Sequence, residues 1–480
     1  MATLALPIER LAPLENYGHS IRAIAYVYRP THVEQVAEVF RLAEQTGQTV
    51  ALRGAGRSYG DAALNSGQIV LDLQRMNRIL AWDPATGIIK VEPGVTLQQI
   101  WTYTLEDGYW PPVTSGTMFP TIGGALGMNI HGKNNWKAGT LGEHVLAFDA
   151  LLPNGQLVTC TPTENADLFY SLIGSAGLLG VFTSVTLKLK RVETGFVRVY
   201  AWATPTLKVM LDDLDRDKDK YDYIVGWLDG LAGGSGLGRG QIHGADYVHA
   251  DEDPSGGQSL KLSYQDLPDT FFGVMPKSML WRFMTPFMSN AGTWLINTAK
   301  YLLSRTLEHH KTYLQSIVAF TYLLDYVPNW ERSYGKGGLI QYQSFLPLAT
   351  AHDAWHQMLE LTHKHRLPTY LGVTKRHRPD KFLLTHAVDG YSLAMDFKVT
   401  GRPGTLEGNR RKLNQMTSEM SEIVLAAGGR HYFAKDSTMT PQIAARYLGD
   451  ETLAKFKSLK QRCDPHGLLQ TDLYRRLLAA

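Results

Sequence analysis

Cysteine is scarce in this 480-residue chain: there are two, Cys160 and Cys463, in no metal-ligand spacing. A disulfide framework and a cysteine-based metal site are therefore excluded as organising devices, and no metal centre is expected. An excess of either charge is also missing. Lys and Arg total 48 against 45 Asp and Glu, for a net charge of +3. The basic residues are scattered, so nucleic acid is not the expected partner. No run reaches the roughly 18 apolar residues of a membrane span. The N-terminal stretch lacks the basic start and long apolar core of a signal peptide. The expectation is a cytoplasmic protein, with peripheral membrane association left open. No internal repeat or low-complexity tract is present. Hydrophobic residues make up 44 % and charged residues 19 %, an ordinary globular composition. The length asks for two domains.

Glycine is plentiful, and it is clustered. The stretch Val50–Asp61 puts Gly54, Gly56 and Gly60 directly after a short apolar run. Such a turn brings backbone N–H groups close to a ligand and forms a concavity for anionic oxygens. Upstream, Thr31-His-Val-Glu34 fits a capping box, and Val33, Val36, Ala37, Phe40 and Ala43 follow helical spacing up to Gly47. Residues 49–52, 68–73 and 88–92 read as strands, the last preceded by the turn Asp83-Pro-Ala-Thr-Gly87. The order is thus helix, strand, glycine loop, strand. A dinucleotide-binding Rossmann unit needs Gly-x-Gly-x-x-Gly followed by a helix, and a Walker loop needs Gly-Lys-Ser/Thr. Neither fits. Two further glycine-rich loops follow, at 115–134 and 172–181, the latter leading into an alternating strand at 182–189. Pro153-Asn-Gly155 reads as a hairpin turn. One extended ligand touched by several loops accounts for all three.

From residue 196 the texture changes. Residues 338–346 and 391–399 alternate as strands, while 351–366 and 407–427 read as helices. This predicts a second domain built on an antiparallel sheet with covering helices, in an α+β fold class. Residues 271–330 are rich in aromatics: Phe271, Phe272, Trp281, Phe283, Phe287, Trp294, Tyr301 and Phe320. They read either as domain core or, with Met284 and Met288, as an amphipathic lid that admits a lipid chain or touches a membrane.

Together the three glycine loops resemble the vanillyl-alcohol-oxidase-type FAD family. Arg53–Asp61, His131–Asn134, Gln341–Gln343, Ala434–Ser437, Asp464-Pro465, Asp472 and Arg475-Arg476 resemble stretches found in the same order in members of that family. The likeness is strongest in 50–190 and 330–476 and weak in 200–320. It implies a two-domain flavoprotein with a non-Rossmann FAD-binding domain, 1–195, completed by the returning segment 428–480. A substrate domain, 196–427, is inserted between them. It further implies oxidation of a sugar ring hydroxyl to a ketone, in the most similar members on the ribose of a polyprenyl phosphate. That step is the first half of an epimerisation to arabinose for cell-wall or glycan precursors, and a short-chain reductase partner completes it. A soluble sugar or alditol oxidase using oxygen is the alternative. A nicotinamide dehydrogenase lacks its Rossmann order here, and a non-enzymatic flavin-binding module fits poorly with the polar residues below.

Residue by residue, the resemblance assigns Arg53, Gly54, Gly56, Arg57, Ser58, Tyr59 and Gly60 to the FAD pyrophosphate. Gly116, Thr117, Thr121, Gly123, Gly124, Gly127, Asn129, Ile130, His131 and Lys133 would line the flavin side. Gly177, Gly180 and Val181 would meet adenosine and ribose. Tyr432 and Lys435 would return to the flavin. The expected catalytic set is Lys435, His131, Gln343, Lys375 and Tyr432. The expected substrate pocket is Lys133, Trp227, Gln341, Gln343, Lys375 and Ala394. Lys435 reads as an electrostatic stabiliser, or as a base if burial depresses its pKa. Gln341 and Gln343 alternate with Tyr342 and so share a strand face; a plain surface face is the other reading for Gln341. Relatives that bind flavin covalently carry histidine where this chain has Arg57, so the FAD is expected to be non-covalent. Where the known lipid-linked-sugar oxidases carry a pocket cysteine, this chain has Ala394.

Overall fold

The computed structural model describes residues 5–267, 270–271, 275–400 and 405–479. Strands β1 (Leu11–Glu15), β2 (Arg22–Tyr28), β3 (Val50–Arg53) and β4 (Ile69–Asp72) form a sheet in the order β1-β2-β4-β3. Within it β4 runs parallel to both β2 and β3. A second, antiparallel sheet joins β5 (Ile79–Asp83), β6 (Ile88–Val91), β7 (Val145–Leu151), β8 (Leu157–Cys160) and β9 (Val181–Lys188) in the order β5-β6-β9-β7-β8. The turns expected at Asp83–Gly87 and Pro153–Gly155 connect β5 to β6 and β7 to β8. As the sequence implied, the first glycine loop leads into β4 and not into a helix.

Two local expectations need correction. The helix after the first strands, Val33–Thr46, starts at His32 without a side-chain cap. Thr31 does not cap it; instead Gln35 accepts from the Thr31 N–H at 2.7 Å. Gln35, one turn on, outcompetes Glu34 for that donor. The second glycine stretch is not loop throughout. Residues Ile122–Gly127 form a helix, and the Thr121 hydroxyl accepts from the Gly124 N–H. Ile122, Ala125 and Leu126 are buried there, and this packing overrides the glycines' weak propensity.

An eight-stranded antiparallel sheet holds β10 (Phe196–Thr204), β11 (Tyr223–Leu228), β12 (Gly240–Tyr247), β13 (Lys311–Ser316), β14 (Leu339–Pro347), β15 (Leu371–His377), β16 (Gly390–Lys398) and β17 (Arg430–His431). Its order is β13-β10-β12-β11-β15-β16-β14-β17. The two-residue side-chain period sorts its residues. Ile224, Ile340, Tyr342, Leu393 and Met395 pack against the helices Leu207–Arg216, Ala351–Lys364 and Leu406–Ala426. Val225, Trp227, Gln341, Gln343, Val373, Lys375 and Ala394 point to the other side, where the cavity lies.

The C-terminal segment returns to the N-terminal sheets. Phe433, Ile443, Tyr447, Phe456, Leu459 and Leu473 share a core with Ile89, Phe148, Phe169 and Phe182. Val50 N–H donates to Leu468 O at 2.7 Å, and Gln470 N–H to Val50 O at 3.0 Å. Within 271–330 the aromatics divide: Tyr301 and Phe320 are buried, whereas Phe283, Phe287 and Trp294 are exposed. Phe272 and the side chain of Phe271 lie outside the described residues. Among the described residues no helix is long and apolar enough to cross a membrane.

Candidate active site

One cavity of about 520 Å³ runs between the glycine segments and the open face of the eight-stranded sheet. Its first wall is built on close backbone approach. A Cβ on Gly54 would stand 2.0 Å from Thr121 Oγ1, so the first loop can pass the start of the Ile122–Gly127 helix only as glycine. A Cβ on Gly60 would stand 1.6 Å from the backbone oxygen of Asp436. Gly60 therefore serves the clamp between the first loop and the C-terminal segment. Tyr59 N–H donates to Ala434 O at 2.8 Å in that clamp. Arg476 holds both oxygens of Asp61, at 2.9 and 2.7 Å, and reaches Asp436 at 2.9 Å. The second and third segments dock on each other through Ala176 N–H to Gly127 O at 2.7 Å.

Gly54, Gly56, Arg57, Ser58, Tyr59, Gly116, Thr117, Thr121, Gly123, Gly124, Gly127, Ile130, Gly177 and Gly180 all line the cavity. Arg53 also borders it, but its guanidinium donates to Glu15 O and Ala63 O, a structural use. Gly60, Asn129 and Val181 stand outside the lining. Asn129 braces the turn behind it, bonding Thr140 Oγ1 at 3.0 Å and the Gly142 N–H at 2.9 Å. Val181 packs in the core between the sheets. Arg57 lies over the rings of Tyr17 and Phe119, at 5.0 and 4.9 Å, and its buried Nε has no partner among the described residues. A glycine-walled concavity with an unsatisfied guanidinium N–H is what an anionic dinucleotide needs, so these residues fit FAD.

The second wall carries the polar groups. Gln343, Ala394, Val373 and Trp227 are successive cross-strand neighbours on β14, β16, β15 and β11. Lys375 lies two residues along β15 from Val373. Lys133 enters from the second glycine segment, donating to Phe320 O and lying over the Phe320 ring at 4.3 Å. Lys435 enters from the C-terminal segment, over Tyr59 at 3.8 Å. His131 Nε2 faces Gln343 Nε2 at 3.2 Å. With the amide donating, this leaves the imidazole proton on Nδ1, which has no partner among the described residues. His377, His386, Phe345 and Tyr432 surround that ring at 4.7–5.5 Å.

Burial dominates the electrostatics. It lowers Lys435 to about 7, against the attraction of Asp396 and with help from Lys375. Lys133 falls to about 7, again by burial and then by Lys375, and Lys375 falls to about 8 by burial. His131 is held well below its usual range by burial and by the surrounding cations and histidines, so it is neutral. Asp396, pushed up to about 6 by burial, accepts from Gln341 Nε2. Lys133, Lys300, Lys375 and Lys435 thus line one cavity, and Asp396, behind Gln341, attracts Lys435. Such a site favours negative charge in its occupant.

Sequence reasoning did not single out Asp396, Lys300, His243 or Asp325. Asp396 lies two residues from Ala394, hence on the same strand face, and that alternation was the available signal. Lys300 reaches the cavity over Trp227 at 4.0 Å, and His243 lines it beside Lys300. Asp325, accepting from Thr117 Oγ1 and the Met118 N–H, braces the loop near Arg57. None of these three had a local signal, because each arrives from a distant element.

The FAD binding domain family matches residues 24–161. The chain is 30 % identical over 471 residues, 97 % of each chain, to a protein named decaprenylphosphoryl-beta-D-ribose oxidase from Mycolicibacterium smegmatis. The chain belongs to the vanillyl-alcohol-oxidase-type FAD-binding oxidoreductase family. It is an FAD-dependent oxidoreductase. Two other relatives match more narrowly. L-gulonolactone oxidase of Mus musculus is 31 % identical over 201 residues, 41 % of this chain and 44 % of its own. D-lactate dehydrogenase of Anaerostipes hadrus is 31 % identical over 187 residues, 36 % of this chain and 39 % of its own. As in other FAD-dependent oxidoreductases, the cofactor can take up the electron pair that leaves a substrate C–H bond.

Proposed function

We propose that this oxidoreductase converts a secondary ring hydroxyl of a lipid-linked pentose to a ketone, with the ribose of a polyprenyl phosphate as substrate. The carrying observation is the convergence on one cavity of Lys375 and Gln343 from the sheet, His131 and Lys133 from the second glycine segment and Lys435 from the C-terminal segment. The cations suit a substrate phosphate and the negative charge that FAD would gain on taking up hydride; the amide and imidazole suit a sugar hydroxyl. The full-length likeness to an oxidase named for a decaprenylphosphoryl ribose supports the same reading.

In this reading FAD is held without a covalent bond. Arg57 stands in the first loop, and neither cysteine lines the cavity. Gln343 and His131 orient the hydroxyl. Lys435, lowered to about 7, takes the hydroxyl proton in its neutral form. The ammonium so formed then faces the negative charge left in the site. Lys375 meets the phosphate as a point charge. The ketone product calls for a reductase of the short-chain type to complete an epimerisation. Ala394 in place of a thiol removes the target of thiol-directed inhibitors and leaves this chemistry intact.

The alternative is a soluble sugar or lactone oxidase using oxygen, favoured by the likeness to L-gulonolactone oxidase. Anaerobic flavin bleaching against free pentoses and lipid-phosphate pentoses separates the two. Bleaching by the lipid-phosphate ribose alone is expected. Equal bleaching by a free sugar, with stoichiometric peroxide in air, would establish the alternative.

A further inference from the structure

The helix Asn290–Thr306 is inside out. Thr293, Asn297, Tyr301 and Ser304, at i, i+4, i+8 and i+11, are its buried face, and three of the four are small polar residues. Polar contacts anchor it. Asn297 donates to Asp229 at 3.2 Å, and Thr298 accepts from Arg239 at 3.0 Å. Arg239 also lies over the Tyr301 ring at 4.6 Å.

The opposite face is apolar and bare. Leu295 is 57 % exposed, Leu302 51 % and Leu303 53 %, with Trp294, 51 % exposed, at the edge of that face and Leu307, 69 %, just past the end. Phe283 and Phe287, immediately upstream, are exposed as well. A helix normally turns its apolar stripe toward the core. This one spends its polar stripe on the protein and leaves a large apolar surface to be covered by something else.

Charge identifies what covers it. Between residues 277 and 311 stand Lys277, Arg282, Lys300, Arg305 and Lys311 against one acid, Glu308, in a chain whose whole net charge is +3. Arg282, Arg305 and Lys311 are exposed. An apolar helix face with exposed Arg282, Arg305 and Lys311 on it or next to it in the chain matches an anionic lipid surface, where the apolar side chains enter the acyl boundary and the cations meet headgroups. The same helix sends Lys300 inward to the cavity over Trp227.

We infer that the outer face of the 290–306 helix docks this protein on an anionic lipid bilayer, with the helix lying in the interface and bordering the active-site cavity. The inference concerns where the enzyme works and holds whichever sugar it oxidises.

The test is co-sedimentation of the full-length holoenzyme with vesicles of phosphatidylcholine alone or with phosphatidylglycerol. The wild type should sediment with the anionic vesicles and stay in solution with the neutral ones. Leu295→Ser/Leu303→Ser should lower the partition constant at least about tenfold. Arg282→Glu/Arg305→Glu, which keeps the apolar face, should lower it about as much, and added salt should mimic that change. Flavin content unchanged in both variants shows that they fold. Two outcomes overturn the inference: no sedimentation of the wild type with anionic vesicles, or a wild-type dimer that Leu295→Ser/Leu303→Ser converts to a monomer. The dimer would assign the face to a second copy of this chain.

Discussion

Replacing Lys435 by Met tests the proposed chemistry most directly. The methionine keeps an apolar stem over Tyr59, where the ammonium now lies 3.8 Å from the ring centroid, and deletes only the charge and the proton acceptor. Losing one preorganised group that meets developing charge costs about 2.7–4 kcal/mol, or roughly 10²–10³-fold in rate. The assay is anaerobic stopped-flow bleaching of the flavin by substrate. In the wild type the rate should climb as pH rises through about 7, where Lys435 becomes neutral; in the variant that limb should vanish. The substitution should act on stability in the opposite sense to its effect on rate. The folded-state pKa of Lys435 lies below its ordinary value of 10.5, so the unfolded chain binds the extra proton. The buried lysine therefore costs stability, fully below about pH 7 and not at all above about 10.5. Any gain in Tm of the cofactor-free variant should be largest near pH 6 and shrink as pH rises. A loss of no more than a few-fold in bleaching, with the pH limb intact, would refute the role given to Lys435.

The remaining predictions concern its surroundings. Asp396 raises the Lys435 pKa by attraction, so Asp396→Asn should move the rising limb of the bleaching profile to lower pH, by roughly one unit; an unmoved limb would show that the two groups do not communicate. Gly54→Ala drives a Cβ to 2.0 Å from Thr121 Oγ1, so the purified variant should have a reduced ratio of flavin to protein absorbance, partly restored by adding Thr121→Ala, at an overpacking cost of about 1–3 kcal/mol. Acid precipitation should leave the yellow colour in the supernatant; colour retained in the pellet would mean a covalent flavin link despite Arg57.

Much of the cofactor half was legible in the chain. The order of β3, the glycine loop and β4 is local, and it separated this fold from Rossmann and Walker sites. The alternation of Gln341 and Gln343 put both on one face, and both do line the cavity. Asn129, Gly60 and Val181 show the limit of motif transfer. Each lies within a matching segment, yet each is used for bracing, for backbone approach or for core packing. A motif records proximity along the chain, and the direction of a side chain depends on what packs behind it.

The sequence by itself determined an anion-cradling glycine site that is neither Rossmann nor Walker, because glycine turns and strand periods are set by local backbone geometry, and its resemblance to known flavoproteins implied the cofactor. Tertiary structure decided the protonation of the site. Lys133, Lys375 and Lys435 come from three separate elements, and their shared burial, with the charge of Lys375 acting on the other two, lowers their pKa values and makes a neutral amine available. It also decided the fate of the aromatic stretch. From the sequence, residues 271–330 read equally as core or lid. Only the packing of the 290–306 helix revealed which of its faces meets the protein: the buried hydrogen bond of Asn297 and the half-buried one of Thr298 fix the polar side inward, and the leucines are left outside.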